Sequence, residues 1–183
     1  MIVILGASAS GKTSMIDLLL KSDKKYRKIV TYTTRPKRPN EVDGVDYFFV
    51  TENAFKELSK RDFFIEQATY NNWHYGTAKK DCTHSDYTIA ILTPAGLRNL
   101  RNANIKTTAI YLYVDRASRL CKSINRGDNV DEAYRRNLSD VGQFDGVENE
   151  VEYIIDNTSY HLSPMKVLLS LKAILKEVHS VEI

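Results

Sequence analysis

A glycine-rich segment directly after the first apolar run of the chain restricts its possible folds more than any other feature. Gly6-Ala7-Ser8-Ala9-Ser10-Gly11-Lys12-Thr13 follows Ile2-Val3-Ile4-Leu5 and fits the pattern G-x-x-x-x-G-K-S/T at every fixed position. The pattern is typical of a strand that ends abruptly, a loop whose N–H groups surround phosphate oxygens, and a helix whose positive N-terminus faces the anion. It therefore predicts an α/β fold that binds a nucleoside triphosphate.

The same pattern predicts the residues of the phosphate donor site. We expect the Lys12 ammonium to contact the β- and γ-phosphates and the Thr13 hydroxyl to bind Mg²⁺. A glycine-rich turn that only caps a helix is the alternative, and the strand before and the amphipathic stretch after the loop disfavour it. The predicted donor-binding residues are Gly6, Ala7, Ser8, Ala9, Ser10, Gly11, Lys12, Thr13 and Ser14.

Apolar runs rich in β-branched residues recur along the chain, and each is followed by a segment with helical spacing. The runs cover residues 2–5, 87–92, 107–114 and 151–155, and the candidate helices cover 11–22, 94–102, 116–125, 130–144 and 163–179. Strands that are apolar on both faces and separated by helices predict a parallel sheet covered on both sides. Ligands of such sheets bind at the carboxyl ends of the strands.

The stretch from about 34 to 77 has a different character. It combines turn residues, the aromatic run Tyr47-Phe48-Phe49, a short helical pattern near 52–60, and further aromatic clusters. Short strands joined by tight turns predict a small mixed lobe inserted into the core. At the ligand-binding edge of the sheet, such a lobe is a natural site for an acceptor substrate.

Length, charge and the N-terminus limit the class of protein. The 183 residues fit one domain, and a net charge of +3 with mostly dispersed basic residues disfavours nucleic-acid binding. The first apolar run is too short for a signal peptide or a membrane span, so we expect a soluble, cytoplasmic protein that binds no membrane. The two cysteines, Cys82 and Cys121, lack metal-binding spacing, as in a reducing compartment.

Two further segments complete a family pattern. Thr31-x-Thr33-Thr34-Arg35-x-x-Arg38-Pro39 runs into Glu41-Val42-Asp43-Gly44-Val45-Asp46-Tyr47, and Phe64-Ile65-Glu66 runs into Tyr75-Gly76-Thr77. With the phosphate loop in this order and spacing, the chain resembles the guanylate kinases from Ile2 to about Val178. The resemblance implies Mg²⁺-dependent transfer of the γ-phosphate of ATP to GMP or dGMP, giving ADP and GDP, by a monomer or homodimer.

The resemblance also implies how the chain is divided. It is similar to a single three-layer kinase core with a parallel sheet, interrupted by a monophosphate-binding lobe and a helical lid. We expect the core at about 1–33, 78–125 and 145–183, the lobe at about 34–77, and the lid at about 126–144.

The GMP-binding residues follow from the same resemblance. Planar guanidinium groups at Arg35 and Arg38 match the oxygens of a phosphate monoester. The Glu66 carboxylate occupies the family's position for guanine recognition, where its two oxygens can accept both N1–H and N2–H. The tyrosine hydroxyls are expected to donate to the acceptor phosphate, although aromatic core packing is an alternative for them. The set is Thr31, Arg35, Arg38, Tyr47, Glu66, Tyr75 and Thr77.

The lid is implied to supply arginines that neutralise charge on the transferring phosphoryl group. Arg126 matches the first of them. Strict counting places Asn137 at the second, so either Arg135 or Arg136 takes that role. The predicted catalytic residues are Lys12, Arg35, Arg126 and Arg136.

The sequence departs from the family where two aspartates are usual, because Ile91 and Thr93 occupy those positions. A kinase of relaxed or shifted base preference is therefore one alternative. A guanylate-kinase-like module without catalysis is another, and the intact phosphate loop opposes it. Asp115, at the carboxyl end of a predicted strand, is a candidate to support the waters around Mg²⁺.

Overall fold

The computed structural model describes residues 1–70, 72–82 and 87–180 and contains two sheets within them. The strands are β1 Ile2–Leu5, β2 Arg27–Lys28, β3 Tyr32–Thr33, β4 Phe48–Phe49, β5 Phe64–Tyr70, β6 Trp73–Ala78, β7 Thr88–Ile91, β8 Thr108–Tyr113 and β9 Tyr153–Asp156. The α-helices are α1 Lys12–Ser22, α2 Glu52–Lys60, α3 Pro94–Asn102, α4 Arg116–Asn125, α5 Val130–Ser139 and α6 Pro164–Ser180.

The larger sheet has five strands in the order β2-β7-β1-β8-β9. All of its pairings are parallel, with Ile4 of β1 opposite Ile91 on one side and opposite Ile110 on the other. The chain leaves β1 toward one edge and later returns to its other side, so β1 lies where the strand order reverses. In open parallel sheets this is the position at which ligands bind.

The residues of β1 alternate between two cores. Ile2 and Ile4 pack with buried side chains of α1 and α6, whereas Val3 and Leu5 pack with buried leucines of α3. Burial of both faces explains why the strand is a continuous apolar run. The predicted fold class, a three-layer α/β core with a parallel sheet, is confirmed.

The second sheet, β4-β3-β6-β5, lies between β2 and β7 in the chain. Its aromatic side chains form a small core with α2, in which the rings of Phe55 on α2 and Phe64 on β5 stack with centroids 4.6 Å apart. Gly76 is required in this core, because a Cβ atom there would lie 2.8 Å from the Phe64 ring. The segment bounds given above for core, lobe and lid stay predictions.

Two elements differ from the sequence-based expectation. β2 is a two-residue edge strand that carries no apolar run. The helix expected over 130–144 ends at Ser139, because Gly142 and Gly146 adopt φ values of 79° and 73° that turn the chain.

In the described part of the chain, the helices are too short or too polar to cross a bilayer.

Candidate active site

A cavity of about 340 Å³ lies at the carboxyl ends of β1 and β7. The predicted donor residues on its wall are Gly6, Ser8, Ala9, Gly11, Lys12, Thr13 and Ser14. The predicted acceptor residues on the same wall are Thr31, Arg35, Arg38, Tyr47, Glu66 and Tyr75. Residues distant in sequence, from the loop and the second sheet, therefore face one common space.

The phosphate loop is held closed by its own lysine. The Lys12 ammonium donates to the carbonyl oxygens of Gly6 at 2.6 Å and Ala7 at 2.9 Å. Gly6 admits no side chain, because a Cβ atom would lie 2.8 Å from the backbone carbonyl oxygen of Leu112. Gly11, with a φ of 99°, is the N-cap of α1, so the positive end of the helix opens toward the cavity.

Burial lowers the pKa of Lys12 to about 8, and the nearby Asp140 carboxylate partly opposes this change. A lowered pKa means that the ammonium lacks a full set of compensating charges in its surroundings. An anionic ligand in the cavity would supply that charge. Ala7 and Ser10, which are buried, shape the loop from behind.

The Arg35 guanidinium is fixed by its surroundings. It is buried and donates to Glu41 Oε1 at 2.6 Å and to the Pro36 carbonyl at 2.8 Å. It also lies 5.3 Å from the centroid of the Tyr47 ring. Arg38 is more exposed and lies 3.8 Å from the same Glu41 oxygen. Both arginines line the cavity, and the Glu41 carboxylate contacts both of them.

Glu41 is a site residue that the sequence analysis did not select. Although burial alone would raise the pKa of Glu41, hydrogen bonds from the Arg35 side chain and the Arg38 N–H lower it. The carboxylate therefore stays charged and preorganises the arginine loop. Its position three residues after Arg38 was the available signal, because a carboxylate at that spacing can reach back across a tight turn.

The two predicted tyrosines face each other across the acceptor side, with ring centroids 6.1 Å apart. Burial raises the pKa of Tyr47 to about 12, so its hydroxyl remains protonated at neutral pH. Burial also raises the pKa of Tyr75. Both rings line the cavity, so the hydroxyls are available as donors.

Glu66 combines a satisfied and an unsatisfied oxygen. It is 4% exposed, and its Oε1 accepts from the Thr77 hydroxyl at 2.6 Å, whereas Oε2 has no partner among the described residues. Burial raises the pKa of Glu66, with Thr77 opposing the shift. Thr77 is fully buried behind the carboxylate and orients it. An unpaired buried acceptor is costly and indicates a site for a hydrogen-bond donor.

The family's aspartate positions carry no carboxylate in this chain. Ile91 and Thr93 line the cavity, and the Thr93 hydroxyl accepts from the Gly96 N–H at 3.1 Å as the N-cap of α3. Gly96 in turn lies beside Glu66, where a Cβ atom would be 3.1 Å from Oε2. This wall of the cavity is therefore largely uncharged.

The structure distinguishes the three candidates for the second lid arginine. Asn137 is buried and exchanges hydrogen bonds with Arg116 at 2.7 and 3.0 Å. The Arg135 guanidinium lies over the Trp73 ring, 4.9 Å from its centroid. Arg136 lines the cavity, as does Arg126. The geometry therefore supports Arg136, although its catalytic role stays a prediction.

Asp128 joins the two cavity-lining lid arginines. It accepts from Arg126 Nε at 3.0 Å and from Arg136 at 2.7 Å. The hydrogen bonds from Arg126 and Arg136 lower the pKa of Asp128 to about 2. Asp128 thus holds the Arg126 and Arg136 guanidinium groups close together, in a position to bind an anionic ligand in the cavity.

Asp115 has an architectural task in the structure. It is the N-cap of α4, where it accepts from the Ser118 N–H at 2.9 Å, and it also accepts from the Ser159 N–H at 2.7 Å. These hydrogen bonds lower the pKa of Asp115 to about 2. Asp115 does not line the cavity that contains Thr13. Support of the magnesium waters therefore stays a prediction without a contact in its favour.

Asp115→Asn tests that prediction. If the carboxylate supports the waters around Mg²⁺, the variant requires more Mg²⁺ for half-maximal activity. Asparagine is an equally good N-cap, so the helix is expected to remain intact. An Mg²⁺ titration that superimposes on that of the wild type would contradict the magnesium role.

A buried aspartate, Asp140, anchors the phosphate loop, and no sequence motif marks it as a site residue. Asp140 accepts from the Ser8 N–H at 2.9 Å and from Arg119 at 2.7 Å, and the Tyr70 hydroxyl donates to it. On the other side of the loop, the Tyr160 hydroxyl donates to the Ala9 carbonyl at 2.5 Å. Such contacts join segments far apart in the chain and leave no local pattern.

Comparisons with known proteins agree with this geometry. Residues 1–175 match the protein family described as Guanylate kinase. A guanylate kinase of Hydrogenovibrio crunogenus is 28% identical over 163 residues, which cover 86% of this chain and 80% of the relative. One of Rickettsia bellii is 28% identical over 165 residues, covering 87% and 86%. One of Coxiella burnetii is 43% identical over a shorter match of 77 residues, covering 42% and 37%.

The fold comparison points the same way. The crystal structure of a guanylate kinase from Anaplasma phagocytophilum aligns with a TM-score of 0.68 at 16% sequence identity, covering 97% of this chain and 85% of the other. At this identity the likeness concerns the fold.

Proposed function

The chain belongs to the guanylate kinase family, and we propose that it transfers the γ-phosphate of ATP to GMP, giving ADP and GDP. It is a phosphotransferase of the nucleoside monophosphate kinase type. The observation that carries the proposal is one cavity walled on one side by the phosphate loop with Lys12 and on the other by Arg35 and Arg38. A donor anion and an acceptor anion can thus occupy the same cavity.

The proposed chemistry is an in-line displacement. An oxygen of the GMP phosphate forms a bond to the γ-phosphorus while the bond to the β,γ-bridging oxygen breaks, and ADP leaves. The acceptor oxygen is already deprotonated near pH 7, so no dedicated general base is needed. Positioning and charge stabilisation account for most of the catalysis in this reaction class.

Different residues of the cavity bind the donor phosphates, bind the acceptor phosphate and stabilise the transferring group. The loop N–H groups and Lys12 bind the donor phosphates, while Arg35 and Arg38 bind the acceptor phosphate with the tyrosine hydroxyls. Arg126 and Arg136, paired through Asp128, stabilise charge on the group in transfer. Because these donors are already oriented by protein contacts, little reorganisation is required when charge develops.

Magnesium fits this donor site. The Thr13 hydroxyl lies at the start of α1 on the cavity wall and is an oxygen ligand of the kind that Mg²⁺ accepts. A single protein hydroxyl is typical of a site in which phosphates and waters supply the remaining ligands. When bound, the ion neutralises charge on the β- and γ-phosphates.

We further propose that the protein acts in the cytoplasm.

The direct test is a coupled assay of ADP release with ATP, Mg²⁺ and a panel of nucleoside monophosphates, with GDP identified by chromatography. We expect GMP, and dGMP to some degree, to support turnover far above AMP, CMP and UMP. Equal rates with every monophosphate, or ADP release without a diphosphate product, would contradict the proposal.

Relaxed base preference is the alternative with a specific observation behind it, the uncharged wall at Ile91 and Thr93. The family membership and the retained Glu66 do not favour it. A binding module without catalysis is also disfavoured, because Lys12 and the loop glycines are all in place.

Glu66→Gln tests how guanine is recognised. The amide replaces one acceptor with a donor, so it cannot accept both guanine N–H groups. Loss of one charge-assisted hydrogen bond costs about 1.5–3 kcal/mol, so we expect kcat/KM for GMP to fall roughly 10- to 150-fold. The value for AMP should change little, and steady-state kinetics with both substrates measure the ratio.

The matched control is Glu57→Gln on α2, an exposed carboxylate of the same lobe whose side chain pairs with the exposed Lys60 at 2.8 Å. It should leave both values unchanged. A Glu66→Gln enzyme that discriminates GMP from AMP as well as the wild type does would assign guanine recognition to other residues.

A further inference from the structure

Three separate segments of the active site meet at one buried carboxylate. The Asp140 side chain is 2% exposed and follows α5, and it accepts the Ser8 N–H of the phosphate loop at 2.9 Å. Tyr70, at the end of β5 in the second sheet, donates its hydroxyl hydrogen to the same carboxylate. The Tyr70 and Ser8 hydroxyl oxygens also lie 2.8 Å apart.

This junction of Asp140, Ser8 and Tyr70 includes a cation that neutralises the buried carboxylate. Arg119 donates to Asp140 at 2.7 Å and to the Ser8 carbonyl at 3.2 Å, so the buried negative charge has a cationic partner. Burial and the Asp140 carboxylate raise the pKa of Tyr70, which keeps its hydroxyl protonated and able to donate. The Tyr70 hydroxyl therefore remains a hydrogen-bond donor to Asp140 at neutral pH.

Tyr70 also belongs to the acceptor side of the cavity. Its ring lies 6.4 Å from that of Tyr75 in an edge-to-face arrangement, and both side chains line the cavity. Tyr75 lies on β6, which pairs with β5 along its length. The Tyr70 hydroxyl thus ties the sheet that carries acceptor residues to the loop that carries donor residues.

We propose that Tyr70 is a positioning residue for phosphoryl transfer, because its hydroxyl fixes the acceptor lobe against the phosphate loop through Asp140 and Ser8. The inference rests on the proposed function. Transfer requires the reacting atoms to approach within about 3–3.5 Å in line, and a misplacement of about 1 Å can cost 10²-fold in rate. A lobe that is not held also admits water, which competes for the γ-phosphate.

The test is Tyr70→Phe, which keeps the ring and removes only the hydroxyl. We expect kcat for GDP formation to fall on the order of 10-fold with little change in KM for ATP. We also expect the ratio of free phosphate to GDP to rise, and parallel phosphate-release and chromatographic assays measure it. A purely structural role of Tyr70 would lower the melting temperature without changing this ratio.

Tyr32→Phe is the matched control. Tyr32 lies in the same sheet, but its ring packs against Phe48, Phe63 and Phe64, away from the junction. The control should keep the wild-type kcat and product ratio. A Tyr70→Phe enzyme indistinguishable from it in both values would overturn the positioning role.

A second variant distinguishes loss of the contact between Ser8 and Tyr70 from a general loosening of the lobe. Ser8→Ala removes the other hydroxyl of the contact, so the losses in kcat from Ser8→Ala and Tyr70→Phe should be non-additive in the double variant. Additive losses would show that the two hydroxyls act independently and would overturn the inference. Wild-type protein that forms no GDP would refute the proposed function itself, and the inference with it.

Discussion

Lys12→Ala is expected to lower kcat for GDP formation by about 10³-fold or more. The ammonium is the cation placed at the mouth of the phosphate loop, and alanine leaves the charge developing on the donor phosphates without it. The Gly6 and Ala7 carbonyls also lose their partner, so the loop becomes less ordered. Steady-state kinetics with saturating GMP measure the effect.

Lys21→Ala is the control for this variant. Lys21 lies in the last turn of the same helix and is exposed, so its loss removes a positive charge without touching the loop. Its activity should match that of the wild type. If Lys12→Ala retained a kcat within tenfold of the wild-type value, the donor site would lie elsewhere.

Asp140→Ala is expected to lower the free energy of unfolding by about 3–5 kcal/mol, because it leaves Arg119 as a buried charge without its partner. The two side chains are 2% and 8% exposed, so water screens them little. The Ser8 N–H also loses its acceptor. Urea denaturation followed by circular dichroism measures the change.

An exposed ion pair provides the comparison. Glu57→Ala removes a carboxylate whose partner Lys60 is 72% exposed, and pairs of this kind contribute about 0–1 kcal/mol. A loss below about 1 kcal/mol in Asp140→Ala would mean that Arg119 is solvated or re-paired after the substitution. The junction beneath the phosphate loop would then be weaker than its geometry indicates.

Structural elements formed by residues that are contiguous in the chain could be predicted from the sequence. The phosphate loop, the strand before it and the helix after it are contiguous, and β1 is apolar on both faces because helices cover both. The predicted end of α5 at residue 144 is wrong for a local reason as well. Its apolar spacing continues past Ser139, but Gly142 and Gly146 turn the chain instead.

The less predictable part depends on contacts between distant residues. Ser8 meets Tyr70 across 62 positions and Asp140 across 132 positions, and no local spacing marks such a junction. Strict counting along the lid places Asn137 at the position of the second arginine, but Asn137 is bound to Arg116, and Arg136 lines the cavity instead. A helical residue one position away points in another direction, so counting alone cannot choose between neighbours.

The central claim is that one cavity holds the donor and acceptor phosphates face to face. Its most direct test is calorimetric titration with a dinucleotide that joins adenosine and guanosine through five phosphates. We predict one molecule bound per chain, about 10²-fold or more tighter than ATP or GMP alone, since the second half binds intramolecularly. An affinity no higher than that of ATP, or two molecules bound per chain, would contradict the account.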